Sequence, residues 1–123
     1  MKIKNIKNKS CLISILENLK IKNFQVKRIF FLKSSKNTIR GNHAHKKCTQ
    51  IFISLKGSID LLIEKKRIKK IKLKEFSNFV KVPPLNWVKI KLKKNQILMV
   101  LCNENYSEKE YIRNYQKFLK IIS

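Results

Sequence analysis

His43 and His45 are the only two histidines in this 123-residue chain, and a single residue separates them. Residues i and i+2 of a β-strand point to the same face, so on a strand the two imidazoles would project side by side. Histidine titrates near neutral pH, and such a pair could take a proton from one carbon and return it to its neighbour. Two hydrogen-bonded polar histidines on an open face are the alternative, and the spacing alone leaves both open.

The pair lies within a longer pattern, RGNHAHKKCTQIFISLKG, over residues 40–57. This stretch resembles the first motif of the cupin superfamily, in which an acidic residue and then a glycine follow H-x-H. Gln50 takes the acidic position here, and Gly57 follows at the expected distance. Residues 83–90 (PPLNWVKI) resemble the second motif, which supplies another histidine in metal-binding cupins but has none here. Two imidazoles without a carboxylate bind divalent ions poorly, so we expect no metal and no cofactor.

The segments that must position these residues have the pattern of strands. Apolar and polar residues alternate over most of residues 24–102, for example in WVKIKLKK (87–94), as expected of half-buried strands. ILMVLC (97–102) is apolar throughout, which predicts a strand covered on both faces. Many short strands at near-regular spacing predict an all-β fold, an antiparallel barrel or sandwich.

The end of the chain has a different period. Ser107 and Glu110 have the S-x-x-E spacing of a capping box, which marks the beginning of a helix. Behind them Tyr111, Tyr115, Phe118 and Ile122 recur at helical intervals. We therefore predict a short C-terminal helix over about residues 108–121, docked on the barrel by this aromatic stripe.

Composition limits the class of protein. The length suits one domain over residues 1–123, and no apolar run is long enough to span a membrane, so we expect a cytoplasmic protein. The net charge of +23 is nearly all lysine, scattered along the chain, and Lys, Ile and Asn share A/T-rich codons. Codon bias therefore explains the charge without a nucleic-acid partner. The three cysteines have no metal-type spacing, and we expect buried free thiols.

A closer resemblance covers nearly the whole chain. KRIFFL (27–32), RGNHAHK (40–46) with Gln50, and MVLCNENYSEKEYIRNYQKF (99–118) together resemble the sugar 3,4-ketoisomerases that act on thymidine-diphosphate-4-keto-6-deoxyglucose. The resemblance implies a cupin-like jelly-roll barrel, a homodimer with exchanged N-terminal strands, and a nucleotide-diphosphate sugar as substrate. It also implies movement of the keto group from C4 to C3 without metal or cofactor, in deoxysugar and surface-glycan biosynthesis.

The same resemblance implies roles for individual residues. His43 matches the base expected to act at C3, and His45 matches the partner that handles C4 or the enediolate oxygen. Arg40 would bind a diphosphate or sugar oxygen, since guanidinium groups hold such oxygens in a fork. Arg28 and Gln50 are expected to line the same pocket.

The chain departs from the family pattern at three places. The family usually has tyrosines at Phe30 and Phe31, so a hydroxyl donor is missing beside the sugar. An arginine that helps to hold the nucleotide is expected near the N-terminus, where Lys9 is the candidate substitute. Asn42 replaces a residue that is usually aromatic. These changes leave the fold prediction intact and affect rate and substrate identity.

Three other functions compete with the isomerase. A nucleotide-sugar epimerase of the same barrel type would need an aspartate paired with the histidine, and the single aspartate, Asp60, lies beyond Gly57. A nucleic-acid-binding barrel would need aromatic residues interleaved with a basic groove, whereas most phenylalanines here lie in apolar runs. A sugar-binding cupin that has lost catalysis is the third, and Phe30, Phe31 and Lys9 are what favour it.

Overall fold

Two antiparallel sheets pack face to face in the computed structural model, which describes residues 1–17 and 24–123. The strands are β1 (Lys4–Lys7), β2 (Leu12–Ile15), β3 (Arg28–Lys33), β4 (Thr38–His45), β5 (Gln50–Lys56), β6 (Ile59–Glu64), β7 (Ile68–Leu73), β8 (Phe79–Val82), β9 (Trp87–Leu92), β10 (Ile97–Cys102) and β11 (Tyr111–Ile112). A four-stranded sheet has the order β3-β10-β5-β8, and a five-stranded sheet has the order β11-β4-β9-β6-β7. A separate hairpin pairs β1 with β2.

The alternation seen in the sequence determines which faces meet. On β9, Val88, Ile90 and Leu92 are buried, and Lys89 and Lys91 face solvent. The buried residues join a core cluster with apolar side chains from both sheets, among them Phe52, Leu61, Ile63, Leu98 and Val100. The predicted antiparallel all-β fold is therefore confirmed.

The strand β10 is covered on both faces, as its apolar sequence predicts. Leu98 and Val100 enter the core between the two sheets. Leu101 faces the opposite way and packs in a second cluster with Ile3 and Phe79, the latter at the start of β8. The N-terminal residues thus cover the outer face of the four-stranded sheet.

The predicted helix over 108–121 is wrong in its first half. Residues Glu108–Glu110 form one 3-10 turn, and β11 then pairs with the edge of β4. The helix α1 spans Tyr115–Ile122, and the Asn114 side chain caps it by accepting a hydrogen bond from the Lys117 amide. Pairing with β4 satisfies backbone groups that a helix would have satisfied locally, so a tertiary contact overrides the local period.

The capping-box prediction fails with it. The Ser107 side chain makes no capping hydrogen bond. The Glu110 carboxylate accepts hydrogen bonds from the backbone amides of Lys47 and Cys48 and so fastens the loop after β4 to the C-terminal segment. The S-x-x-E spacing is present, but its glutamate stabilises the loop after β4 and does not cap a helix.

The helix α1 docks on the outer face of the five-stranded sheet. Phe118 is fully buried there in a cluster with Ala44, Trp87 and Ile112. The apolar stripe through Phe118 and Ile122 is therefore confirmed as packing surface, whereas Tyr111 leaves the stripe and lies on β11. In the part of the chain that the structure describes, no helix has the length and apolar character needed to cross a membrane.

Candidate active site

A bulge in β4 sets the direction of the histidines. The pairing of β4 with β9 shifts between Gly41 and His43, and Gly41 and Asn42 both adopt positive φ, +86° and +55°. A Cβ on Gly41 would lie 2.7 Å from the carbonyl oxygen of Val88, so only glycine fits this conformation and this close approach. The bulge changes the direction of the side chains that follow it, so that they point into the barrel.

His43 and His45 lie on the same face of β4 after the bulge. Their ring centres are 5.1 Å apart and the rings are perpendicular. Ala44, between them, points the opposite way into the cluster under α1. The i, i+2 geometry therefore places two imidazoles side by side inside the barrel.

The surroundings of His43 define its tautomer and charge. Its Nδ1 lies 3.1 Å from the carbonyl oxygen of Gly41. A carbonyl only accepts, so Nδ1 carries the proton and the lone pair is on Nε2. Burial lowers the pKa of His43, and the positive charges of Arg113 and Arg40 act in the same direction. The ring is thus neutral at pH 7, with one basic nitrogen.

His45 is buried more completely, with 4% of its surface exposed. Among the described residues, neither ring nitrogen has a hydrogen-bond partner. Burial is the main cause that lowers the pKa of His45 to about 3, and the nearby His43 and Arg28 lower it further. The ring therefore stays neutral throughout the physiological range and can act as an uncharged N–H donor.

A cavity of about 370 Å³ opens beside His43. It brings together four of the residues predicted from the sequence, Phe30, Arg40, His43 and Gln50, whereas the predicted residues Arg28 and His45 are not among its lining residues. The remaining lining residues are Leu32, Ile39, Gly41, Asn42, Phe52, Ile90, Val100, Tyr111 and Arg113. Of the lining residues in the described part of the chain, two are arginines and none is acidic, so the cavity suits an anionic ligand.

Arg28 and Gln50 both donate hydrogen bonds to one buried thiol. Cys102 accepts hydrogen bonds from Gln50 Nε2 at 3.4 Å and from Arg28 Nη2 at 3.5 Å. Hydrogen bonds from Cys48 and Gln50 lower the pKa of the Cys102 thiol, and the charge of Arg28 adds to them. Gln50 is 2% exposed and its Oε1 has no partner among the described residues, so it remains able to accept from a ligand hydroxyl. Cys48 and Cys102 are buried and free, as expected, whereas Cys11 is free but exposed, so the prediction of a buried thiol is wrong for Cys11.

Sequence reasoning missed Tyr111 and Arg113. Tyr111 lies opposite His45 across the β11–β4 pair, and its ring contacts those of His43 and His45, with centres 5.0 and 4.4 Å apart. The Arg113 guanidinium lies 4.4 Å from the centre of the Tyr111 ring and forms an ion pair with Glu108. Hydrogen bonds from Arg113 and Tyr106 lower the pKa of the Glu108 carboxyl to about 2. The i, i+2 spacing of Tyr111 and Arg113 was the available signal, but the helical period obscured it.

Lys9 does not line this cavity. It is exposed in the turn between β1 and β2, next to Asn8, whose side chain accepts hydrogen bonds from the amides of Ser10 and Cys11. The two phenylalanines that replace family tyrosines differ in position. Phe30 faces the cavity beneath the Arg28 guanidinium, 5.3 Å from the ring centre, whereas Phe31 points outward and is 57% exposed.

The geometry does not favour a metal site. Among residues 1–17 and 24–123, no group of three or more histidine, cysteine or acidic side chains is placed to hold a metal ion. Gln50 occupies the position at which the cupin pattern has a carboxylate, and a neutral amide is a weak ligand for divalent ions.

An antiparallel barrel with a paired-histidine, cation-lined cavity defines a class, the cupin-like sugar isomerases. The chain belongs to the family described as "FdtA: WxcM-like, C-terminal", whose model matches residues 1–123. The sugar 3,4-ketoisomerase resemblance read from the sequence is thereby confirmed.

Characterised relatives agree in sequence and in fold. The chain is 32% identical to TDP-4-oxo-6-deoxy-α-D-glucose-3,4-oxoisomerase of Aneurinibacillus thermoaerophilus, with 98% of this chain and 88% of the relative covered. It is similar to the TDP-fucose-3,4-ketoisomerase WlaRA of Campylobacter jejuni, at 32% identity and a TM-score of 0.86, covering 100% and 93% of the two chains. A TDP complex of the 3,4-ketoisomerase QdtA of Thermoanaerobacterium thermosaccharolyticum gives 31% identity and a TM-score of 0.89, covering 98% and 90%.

Sugar epimerases share the architecture more distantly. The 3′-monoepimerase ChmJ of Streptomyces bikiniensis has a TM-score of 0.80 at 12% identity, with 90% of this chain and 66% of that chain covered. This likeness shows a common fold. The epimerase alternative called for an aspartate paired with the histidine, and no aspartate is among the described residues that line the cavity beside His43.

Proposed function

We propose that this chain is an isomerase that moves the keto group of a TDP-linked 4-keto-6-deoxyhexose from C4 to C3. The observation that carries the proposal is the neutral imidazole of His43 in a cavity whose described lining residues include two arginines and no carboxylate, with the neutral imidazole of His45 packed against His43. The relatives support the substrate class: QdtA was solved as a histidine-to-asparagine mutant in complex with TDP-4-keto-6-deoxyglucose.

The proposed base is His43. Its Nε2 lone pair removes the proton on C3, which is acidic because it lies next to the C4 ketone, and an enediolate forms. A base with a lowered pKa is unprotonated at pH 7 and needs no prior proton loss. The imidazolium formed exchanges its proton with solvent and then protonates C4, so that deuterium from D₂O enters at C4.

The proposed role of His45 is to donate a hydrogen bond from its neutral ring to an enediolate oxygen. An imidazole with a pKa of about 3 does not compete with His43 for the substrate proton. A neutral N–H in a buried site stabilises a developing oxyanion more strongly than it would in water.

Arg40 and Gln50 are the proposed substrate contacts, whereas Arg28, which does not line the cavity, would act on the substrate through the Tyr111 hydroxyl that it contacts. Arg40 lines the cavity at its exposed side, where a diphosphate would remain partly hydrated. The unpartnered Oε1 of Gln50 accepts from a sugar hydroxyl deeper in the barrel. Phe30 gives the cavity an apolar wall where a tyrosine would give a hydroxyl donor. This wall favours contact with a face of the sugar ring.

We infer a homodimer with exchanged N-terminal strands. Ile6, Leu12 and Ile13 on the β1–β2 hairpin are about half exposed, as are Ile29 and Phe31 on the edge strand β3. An apolar surface of this kind on a single chain is typical of an interface. In the exchanged arrangement the hairpin would carry Lys9 to the partner's cavity, where its charge would face the diphosphate.

The dimer is tested by sedimentation equilibrium of the wild-type chain and of Phe31→Lys. Dimer mass for the wild type and a shift toward monomer for the variant are expected, because a lysine cannot be buried unpaired at the interface. Lys91→Glu, on an exposed position of β9 in the other sheet, is the matched control for a change in charge and should leave the mass unchanged. Monomer mass for the wild type at tens of micromolar would contradict the dimer.

We further place the enzyme in the cytoplasm, at a step of deoxysugar biosynthesis for surface glycans such as lipopolysaccharide O-antigen. The TDP-linked substrates in the names of its relatives support this setting. Cell fractionation followed by immunoblotting of the native protein tests the compartment.

The deciding experiment is incubation with TDP-4-keto-6-deoxyglucose in D₂O, followed by NMR of the sugar. A 3-keto product with deuterium at C4 is expected. Chelator-treated protein should retain the activity, because no step uses a metal. Tight TDP binding without exchange or turnover would identify a sugar-binding protein that has lost catalysis, and inversion without keto migration would identify an epimerase.

A further inference from the structure

Tyr111 connects the two sheets at the active site. It lies on β11, at the edge of the five-stranded sheet, and its hydroxyl oxygen accepts a hydrogen bond from Arg28 Nη1, on β3 of the four-stranded sheet, at 3.4 Å. Cys102 accepts from the other terminal nitrogen of Arg28 and fixes the guanidinium. Because arginine only donates, the phenolic proton of Tyr111 remains free to be donated elsewhere.

Tyr111 is a lining residue, and of the residues that line the cavity in the described part of the chain it alone carries a hydroxyl. Its ring is fixed by contacts with His43 and His45 on one side and by the Arg113 guanidinium on another. A hydroxyl held this rigidly next to the proposed base is preorganised for the reaction.

We propose that Tyr111 is a further catalytic residue, whose hydroxyl, oriented by Arg28, donates to the C4 oxygen of the substrate as negative charge develops there. The inference rests on the ketoisomerase function proposed above and adds a residue to it. Arg28 acts through Tyr111 and is a positioning residue for it. Phe30 provides no competing hydroxyl on the facing wall of the cavity.

The proton transfers balance with Tyr111 as a relay between oxygens. His43 takes the proton from C3, the C3–H electron pair forms the C3–C4 double bond, and the carbonyl electrons move onto the C4 oxygen. Tyr111 gives its proton to that oxygen and takes one from the C3 hydroxyl. The C3 carbonyl forms as C4 takes the proton from His43, so both side chains end unchanged and no co-reactant is needed.

The test is Tyr111→Phe, which keeps the ring contacts and removes only the hydroxyl. We expect kcat to fall by about 10²–10³-fold, as for loss of one oxyanion donor, with KM and TDP affinity unchanged. Deuterium exchange at C3 should slow by a similar factor, because the enediolate is no longer stabilised. Tyr115→Phe is the matched control: its hydroxyl bonds to Glu64 on the outside of the barrel, and kcat should be unchanged.

A double-mutant cycle tests the part of Arg28. Arg28→Lys should lower kcat less than Tyr111→Phe does, and adding it to Tyr111→Phe should have little further effect, because both act through one hydroxyl. Additive effects would overturn the positioning role. Wild-type turnover with kcat unchanged in Tyr111→Phe would overturn the catalytic role alone. A wild-type chain that neither exchanges nor isomerises any TDP-4-keto-6-deoxyhexose would overturn this inference and the proposed function together.

Discussion

The imidazole of His43 stands perpendicular to that of His45, with ring centres 5.1 Å apart, and within residues 1–17 and 24–123 only His43 of the two has a ring nitrogen with a hydrogen-bond partner. Two like rings on one strand therefore have different environments. The bond to Gly41 fixes the tautomer of His43, and enclosure keeps His45 uncharged. Environment rather than residue type assigns the roles of base and donor.

Replacing each histidine by asparagine separates these roles. His43→Asn should lower kcat by at least about 10²-fold and abolish deuterium exchange at C3, because asparagine cannot accept the proton. His45→Asn should also lose turnover but retain part of the C3 exchange, since the base is still present. NMR of the sugar in D₂O measures both. Full exchange in His43→Asn would show that His45 is the base, and mild, equal losses would support two merely structural histidines.

The low pKa of His45 makes stability depend on pH. Unfolded histidine binds a proton below about pH 6.5, whereas folded His45 binds one only near pH 3. The unfolded state thus takes up more protons between these values, and the free energy of unfolding falls as pH is lowered, by about 1.4 kcal/mol per pH unit from this one group. The contribution is fully present above pH 6.5.

Urea denaturation of the wild type and His45→Asn at several pH values between 7 and 4 tests this linkage. The free energy of unfolding of the variant should depend less on pH than that of the wild type, so the two values converge as pH falls. Parallel curves over this range would contradict a neutral, buried His45.

Gly41 should be intolerant of any side chain. Gly41→Ala places a Cβ 2.7 Å from the Val88 carbonyl oxygen at a φ of +86°, and we expect a loss of about 1–3 kcal/mol in the free energy of unfolding. A displaced His43 should also lower kcat, since small misplacements of a base have large effects. Asn42→Gly is the control, because glycine accepts the neighbouring φ of +55° and stability should change little. Equal stability of Gly41→Ala and wild type would contradict the role of the bulge.

The sequence predicts the strands well because their signal is local. Alternation on β9 places Val88 and Ile90 inside and Lys89 outside without knowledge of any partner strand. The site was partly predictable for the same reason, since His43 and His45 belong to one strand. Tyr111 and Arg113 could not be placed this way, because β11 has only two residues and its position depends on pairing with β4.

Ser107 and Glu110 show how a local pattern misleads. The spacing satisfies the capping-box rule, yet the carboxylate of Glu110 bonds to amides more than sixty residues earlier in the chain. No local rule can anticipate such a partner. The two interpretations differ in what each residue contributes to stability, and this difference is measurable.

Glu110→Ala should destabilise the protein by about 1.5–3 kcal/mol. The carboxylate accepts hydrogen bonds from the amides of Lys47 and Cys48, and the substitution leaves both amides without an acceptor. Ser107→Ala should change stability by less than about 0.5 kcal/mol, since its side chain makes no capping bond. A working capping box would instead make Ser107→Ala cost about 1 kcal/mol. Urea denaturation of both variants at pH 7 decides between them. Glu110→Gln, which keeps one acceptor oxygen, should fall between wild type and Glu110→Ala if the bond to the loop is what matters.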